Sequence, residues 1–192
     1  MSKRILSAGL LGGIALFFWG FVSHTVLPLG ELGVQNLPQD HTVIETLKAA
    51  IPASGFYFFP RVDESQKIAA DQLGGPHGIL IYHPSGASMM MTGQLIREFI
   101  LNVVQALIAG YLLSLATGLT KYSSRVGLVL VLGVLSGIAT NVEYWNWYGF
   151  PGNYTAGVIV DEIIGFLVVG LVVAAMVKPP GAATQVAVAK AA

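Results

Sequence analysis

Four stretches of this chain are too long and too apolar to be covered by what remains of it, and they set the solvent in which it folds. Ile5 to Leu27, Phe99 to Leu119, Val126 to Val142 and Ala156 to Val177 carry almost no charge. Each runs for roughly twenty residues, the length an α-helix needs to cross a hydrocarbon core about 30 Å thick. Lipid offers backbone groups no hydrogen-bond partner, so such runs fold as helices. The expected architecture is an all-α membrane protein: a four-helix transmembrane bundle with spans at about 5–27, 96–119, 126–145 and 156–177.

Composition agrees. Hydrophobic residues make up 54% of the chain and charged residues 10%, with a mean hydropathy of +0.69, whereas a soluble domain carries about 25% charged residues. One membrane domain over residues 1–178 is expected, followed by a small-residue tail, 179–192, with the composition of a disordered segment. Lys plus Arg and Asp plus Glu are equal at ten each, which leaves no basic field for nucleic acid. The chain has no cysteine, so thiolate metal sites, disulfides and thiol redox chemistry are excluded. Any metal ligands would be His, Asp or Glu.

Orientation follows from the cations of the short loops and ends. Lys3, Arg4, Lys121, Arg125, Lys178 and Lys190 fall on one side of the alternating spans, and the loop between spans three and four has no Lys or Arg. This predicts cytoplasmic termini. The first span is expected to be retained rather than removed as a signal peptide, because its apolar run is long and lacks a small-residue cleavage site before Pro28.

The connection between spans one and two, 28–92, is then an extracytoplasmic cap. Thr42 and Glu45 fit a capping box, and Val43, Ile44, Leu47, Ala50 and Ile51 recur at helical spacing, predicting a short amphipathic helix that ends near Pro52. Such a helix would lie on the membrane surface or across the bundle. Gly55 to Pro60 and Gly78 to His83 read as two strands of a small sheet, with Arg61 to Gln72 as a solvated link.

Ionisable residues inside a span are costly and each raises a functional question. His24, Glu98, Glu143 and Asp161, with Glu162 beside it, fall near one level, toward the outer ends of the spans. Helical bundles build metal and cofactor sites in such layers, so His24, Glu98, Glu143 and Asp161 are the candidate metal ligands. In span two Glu98, Asn102, Gln105 and Ala109 form one stripe that must face other helices or a wet cavity. Small faces are offered by Gly9, Gly13 and Gly20 in span one, Gly133 and Gly137 in span three and Gly165 in span four. Bland readings stand beside these: amides as interhelical glue, Glu98 and Glu143 solvated at the interface, and Asp161 and Glu162 favoured by a helix N-terminus. Those two carboxylates also point about 100° apart, so at most one is expected to share a partner with His24.

The stretch Glu143 to Thr155, EYWNWYGFPGNYT, is dense in aromatic and amide groups. It reads either as an interfacial belt or as an aromatic wall for a quinone, a lipid or another planar ligand. Candidate ligand-binding residues are therefore Asn102, Gln105, Asn141, Tyr144, Trp145 and Trp147. The remaining histidines, His41 (with Glu45 at i, i+4), His77 and His83, all lie in the predicted cap.

The segments FFWGFVSHTVLPLGELGVQNLP (Phe17 to Pro38), YHPSG (Tyr82 to Gly86) and YWNWYGFPGNYT (Tyr144 to Thr155) resemble those of small bacterial inner-membrane proteins with four spans. The resemblance implies the topology and a bacterial inner-membrane setting, and it carries no activity or site residue. The expected function is an accessory or ligand-binding protein that holds a hydrophobic ligand or membrane partner at the outer side. The partners expected are membrane lipid and another membrane protein or a second copy of the chain. A membrane-embedded metal or redox enzyme is the alternative. A small proton-coupled transporter is the third, weakened by inner halves with no matching ionisable residue.

Overall fold

A helix forms over each of the four apolar runs, with shifted ends: the second begins earlier than predicted, at Thr92, and stops at Leu115, so residues 116–119 of the predicted span lie outside it. The computed structural model describes residues 2–60, 74–85 and 91–178. Among these, four helices are long and apolar enough to cross a membrane: Lys3–Val26, Thr92–Leu115, Tyr122–Tyr148 and Gly152–Met176, here spans one to four. Span one starts where the Ser2 side chain accepts a hydrogen bond from the Ile5 amide at 3.4 Å, the usual role of an N-cap serine. Span four starts directly after Pro151, a residue that tolerates only the first turn of a helix. The chain is a multi-pass membrane protein built as a helical bundle.

Small residues decide which helices meet. A Cβ on Gly13 would sit 2.6 Å from the Cα of Val103, and one on Gly9 would strike the Leu107 side chain, so spans one and two pack backbone to backbone. Spans three and four do the same: a Cβ on Gly133 would stand 2.5 Å from Phe166 Cβ and 3.2 Å from the Glu162 carbonyl oxygen, and one on Gly170 would stand 3.2 Å from the Val126 carbonyl oxygen. The chain thus forms two tight helical hairpins, joined to each other chiefly by the contact of span one with span four, while spans two and three touch only lightly. The apolar core, with Ala8, Ala106, Leu113, Val129, Val169 and Val173 almost fully buried, lies in the half that carries the termini. The opposite faces, such as Leu6, Leu10, Ile14 and Phe18 on span one, are exposed, as lipid-facing side chains should be.

The first turn of span three holds an unexpected core residue. Arg125, read in sequence as part of a basic loop, is 2% exposed. Its guanidinium donates to the Leu119 carbonyl at 3.2 Å and to the Val177 carbonyl, the backbone oxygens left unpaired beyond spans two and four. A cation there also complements the negative ends of both helices. The loop charge is therefore a buried staple across three elements.

Between spans one and two lie a short helix, Asp40–Ala50, and a two-stranded antiparallel sheet. In the sheet Gly55–Phe59 (β1) pairs with Gly78–Tyr82 (β2), Gly55 opposite Tyr82 and Phe59 opposite Gly78. The short helix begins two residues earlier than the predicted capping box, so Thr42 is inside it and no box forms. The Asp40 carboxylate accepts from the His41 amide at 2.7 Å, and Glu45 instead accepts from Lys48 at 2.8 Å. That hydrogen bond, with the attraction of the Glu45 charge, holds the Lys48 ammonium above the usual lysine range. No residue of this helix is buried. The predicted link Arg61 to Gln72 and the tail 179–192 lie outside the described residues.

Candidate functional site: a polar cavity between the spans

In the half of the bundle away from the termini the core gives way to a cavity of about 360 Å³. All four spans line it: Leu16, Trp19, Gly20 and His24 from span one; Glu98, Asn102 and Gln105 from span two; Ser136 from span three; Asp161, Glu162, Gly165 and Phe166 from span four. Glu98 and His24 are exposed at its mouth, whereas Asn102 is buried. From Glu98 to Gln105 the stripe of span two descends about 10 Å at 1.5 Å per residue.

Local helix geometry places two of the polar groups. Span one widens into a single π-helical turn at Val22–Val26 and span three into another at Ile138–Val142. Turns of this kind are uncommon and concentrate at functional sites. In both, a side chain bonds the carbonyl of a glycine four residues back. His24 Nδ1 lies 3.1 Å from the Gly20 oxygen and 2.9 Å from Ser23 Oγ, and Asn141 Nδ2 donates to the Gly137 oxygen at 3.0 Å. A carbonyl only accepts, which favours a proton on His24 Nδ1 and leaves Nε2 as the free acceptor. The turn Leu29–Glu31 folds back over this ring, with Gly30 so close that a Cβ would come 2.6 Å from His24 Cδ2.

The adjacent carboxylates of span four both line the cavity, and each takes a different neighbour. Trp19 Nε1 donates to Asp161 Oδ1 at 2.8 Å and approaches the Asp161 carbonyl at 3.2 Å. Gly165 makes room for that indole, for a Cβ there would come 3.3 Å from Trp19 Cδ1. On the other flank Asn141 Nδ2 donates to Glu162 Oε1 at 3.4 Å, while Glu162 Oε2 is buried without a partner.

The structure thus brings together His24, Glu98, Asn102, Gln105 and Asp161 of the predicted site, and it separates the others. Glu143 is exposed on span three and does not line the cavity. Among the described residues no three His, Asp or Glu side chains lie close enough to hold one metal ion, so the predicted set of His24, Glu98, Glu143 and Asp161 is not assembled as a metal centre. Asn141 stands behind Glu162 rather than in the cavity. Tyr144 stacks on Phe150, with ring centroids 5.5 Å apart, and packs against Tyr148; Trp145 and Trp147 are exposed. The aromatic segment is joined instead by β1, whose Phe56 and Phe58 pack on Tyr148, so it anchors the sheet to span three. Trp19, Ser136 and Phe166 are cavity residues that the sequence reading passed over. An indole N–H inside a span needs an acceptor in lipid, and that requirement is the signal by which Trp19 is detectable.

Comparison with protein-family models, curated proteins and solved structures finds no match for this chain.

Proposed function

We propose that this chain is a membrane-embedded binding protein that holds one amphiphilic ligand by its polar head in the cavity between the spans. The observation that carries the reading is the lining itself. Apolar and aromatic walls (Leu16, Trp19, Phe166) surround convergent polar groups (His24, Glu98, Asn102, Gln105, Asp161, Glu162) in a space of about 360 Å³. That volume falls in the range of small-molecule sites, about 300–1,000 Å³, whose usual make-up is an apolar wall with a few polar groups that orient the ligand. Below Gln105 the cavity meets the packed core of Ala106, Ala109, Val169 and Val173, which favours holding a ligand over passing one through. The cation distribution supports cytoplasmic termini in a bacterial inner membrane, with the cavity mouth and the insert on the outer side.

Gly20 supplies the test. Gly20 lines the cavity and a Cβ there meets nothing within 4 Å, so leucine adds bulk at the cavity wall without displacing backbone. Native mass spectrometry of the gently extracted protein is expected to show a near-stoichiometric amphiphile on the wild type. Gly20→Leu is expected to lose it while keeping the wild-type helical circular-dichroism spectrum and monodisperse elution. A wild type free of any amphiphile, or one whose ligand survives Gly20→Leu, overturns the reading.

A further inference from the structure

The charge of the cavity lining is one-sided. Glu98, Asp161 and Glu162 are acidic, and no Lys or Arg is among the lining residues. The protein answers these carboxylates only with neutral donors: the Trp19 indole for Asp161 and the Asn141 amide for Glu162. Two polar groups are left over. Glu162 Oε2 is buried without a hydrogen bond. Asn102 is 4% exposed, lines the cavity and makes no side-chain hydrogen bond to another described residue. Buried polar groups are normally satisfied, and an uncompensated carboxylate inside a membrane protein is costly. A positive group that donates hydrogen bonds, or sits against carboxylate and aromatic faces, would complement this lining.

Size narrows its chemistry. A metal ion draws its ligands to within about 2.0–2.6 Å, and the acidic groups here are too dispersed for that. A cavity of about 360 Å³ holds on the order of ten waters at about 30 Å³ each, which is room for a polyatomic cation. Trp19 and Phe166 on its wall suit an ammonium group, which aromatic faces attract. We propose that the cavity selects an organic ammonium group, a primary or quaternary amine, between Asp161, Glu162 and Glu98. This inference rests on the proposed binding function and names the ligand's head. The same chemistry is available from the amine of a phospholipid head group and from a free alkylamine.

Thermal unfolding of the full chain in a neutral maltoside detergent, titrated with four probes of equal chain length, tests the selection. Hexylamine and hexyltrimethylammonium are expected to raise the unfolding temperature, and hexanol and hexanoate are not. Glu162→Gln and Asp161→Asn are each expected to weaken the hexylamine effect about tenfold, the equivalent of one modest charge interaction. Glu98→Gln, at the exposed mouth, is expected to weaken it in the same direction and serves if the buried variants fail to fold. Reconstitution in mixed phosphatidylethanolamine and phosphatidylglycerol, followed by native mass spectrometry, separates the sources. Retention of phosphatidylethanolamine that Gly20→Leu abolishes assigns the amine to a lipid, whereas alkylamine binding without lipid preference assigns it to a free ligand. Shifts as large with hexanol or hexanoate, or a hexylamine shift unchanged in every folded acidic variant, overturn the ammonium inference while a copurifying amphiphile would leave the binding function standing. If neither probe nor amphiphile binds, the binding function itself fails.

Discussion

Truncating Arg125 to alanine leaves the carbonyls of Leu119 and Val177, which its guanidinium bridges, without donors in a buried setting. Hydrogen bonds to charged groups contribute about 1.5–3 kcal/mol each, so losing both makes Arg125→Ala less stable by about 3–6 kcal/mol in denaturant unfolding in micelles. Arg125→Lys is expected to restore only part, since an ammonium cannot reproduce the fork of the guanidinium. No change in unfolding midpoint would mean the staple is ornamental. At this scale the sequence is informative about which residues are expensive and silent about their partners. His24, Glu98 and Asp161 stand out because ionisable groups inside apolar runs are rare. The bond from Trp19 to Asp161 joins residues 142 positions apart, and no local pattern encodes it. Arg125 misleads because the rule that orients membrane proteins treats every loop cation as solvated.

At the scale of elements, hydropathy made the spans legible and left their irregularities hidden. The π-helical turns that aim His24 and brace Asn141 differ from α-helix by one residue's phase, which no measure of apolarity registers. The strands were readable because Gly and Pro bound them, and the capping box failed because the helix starts at Asp40, two residues before Thr42. Glycines separate packing from space. Gly13 faces the Val103 backbone, while Gly20 lines the cavity and has open space where a Cβ would stand. Gly13→Ala is therefore expected to cost about 1–3 kcal/mol, as overpacking does, and Gly20→Ala to stay within about 0.5 kcal/mol, as changes without new contacts do. Paired unfolding curves of the two variants check this, and equal losses would remove the case for open space beside Gly20.

For the whole molecule, the asymmetry of polar residues was legible and the membership of the site was only half so. The sequence places carboxylates near one depth; only the packing of span four between spans one and three decides that Glu162 enters the cavity and Glu143 does not. The same asymmetry makes a topological prediction. Because the chain contains no cysteine, Gly118→Cys and Pro151→Cys each introduce a single thiol, in the loops at opposite ends of the bundle. In intact bacterial cells a membrane-impermeant maleimide is expected to label the Pro151→Cys protein, and the Gly118→Cys protein only after permeabilisation. The reverse pattern would invert the molecule and put the cavity mouth in the cytoplasm.

The pairing of span one with two and of span three with four has a consequence for how this molecule is held as one piece. Each hairpin carries its own glycine seam, and the seam between hairpins runs through span one and span four, not through the loop that links spans two and three. Covalent continuity across residues 116–121 is thus a leash rather than a joint. The molecule is a dimer of unlike halves that happen to share a chain, and the cavity, lined from both, exists only where the halves are docked.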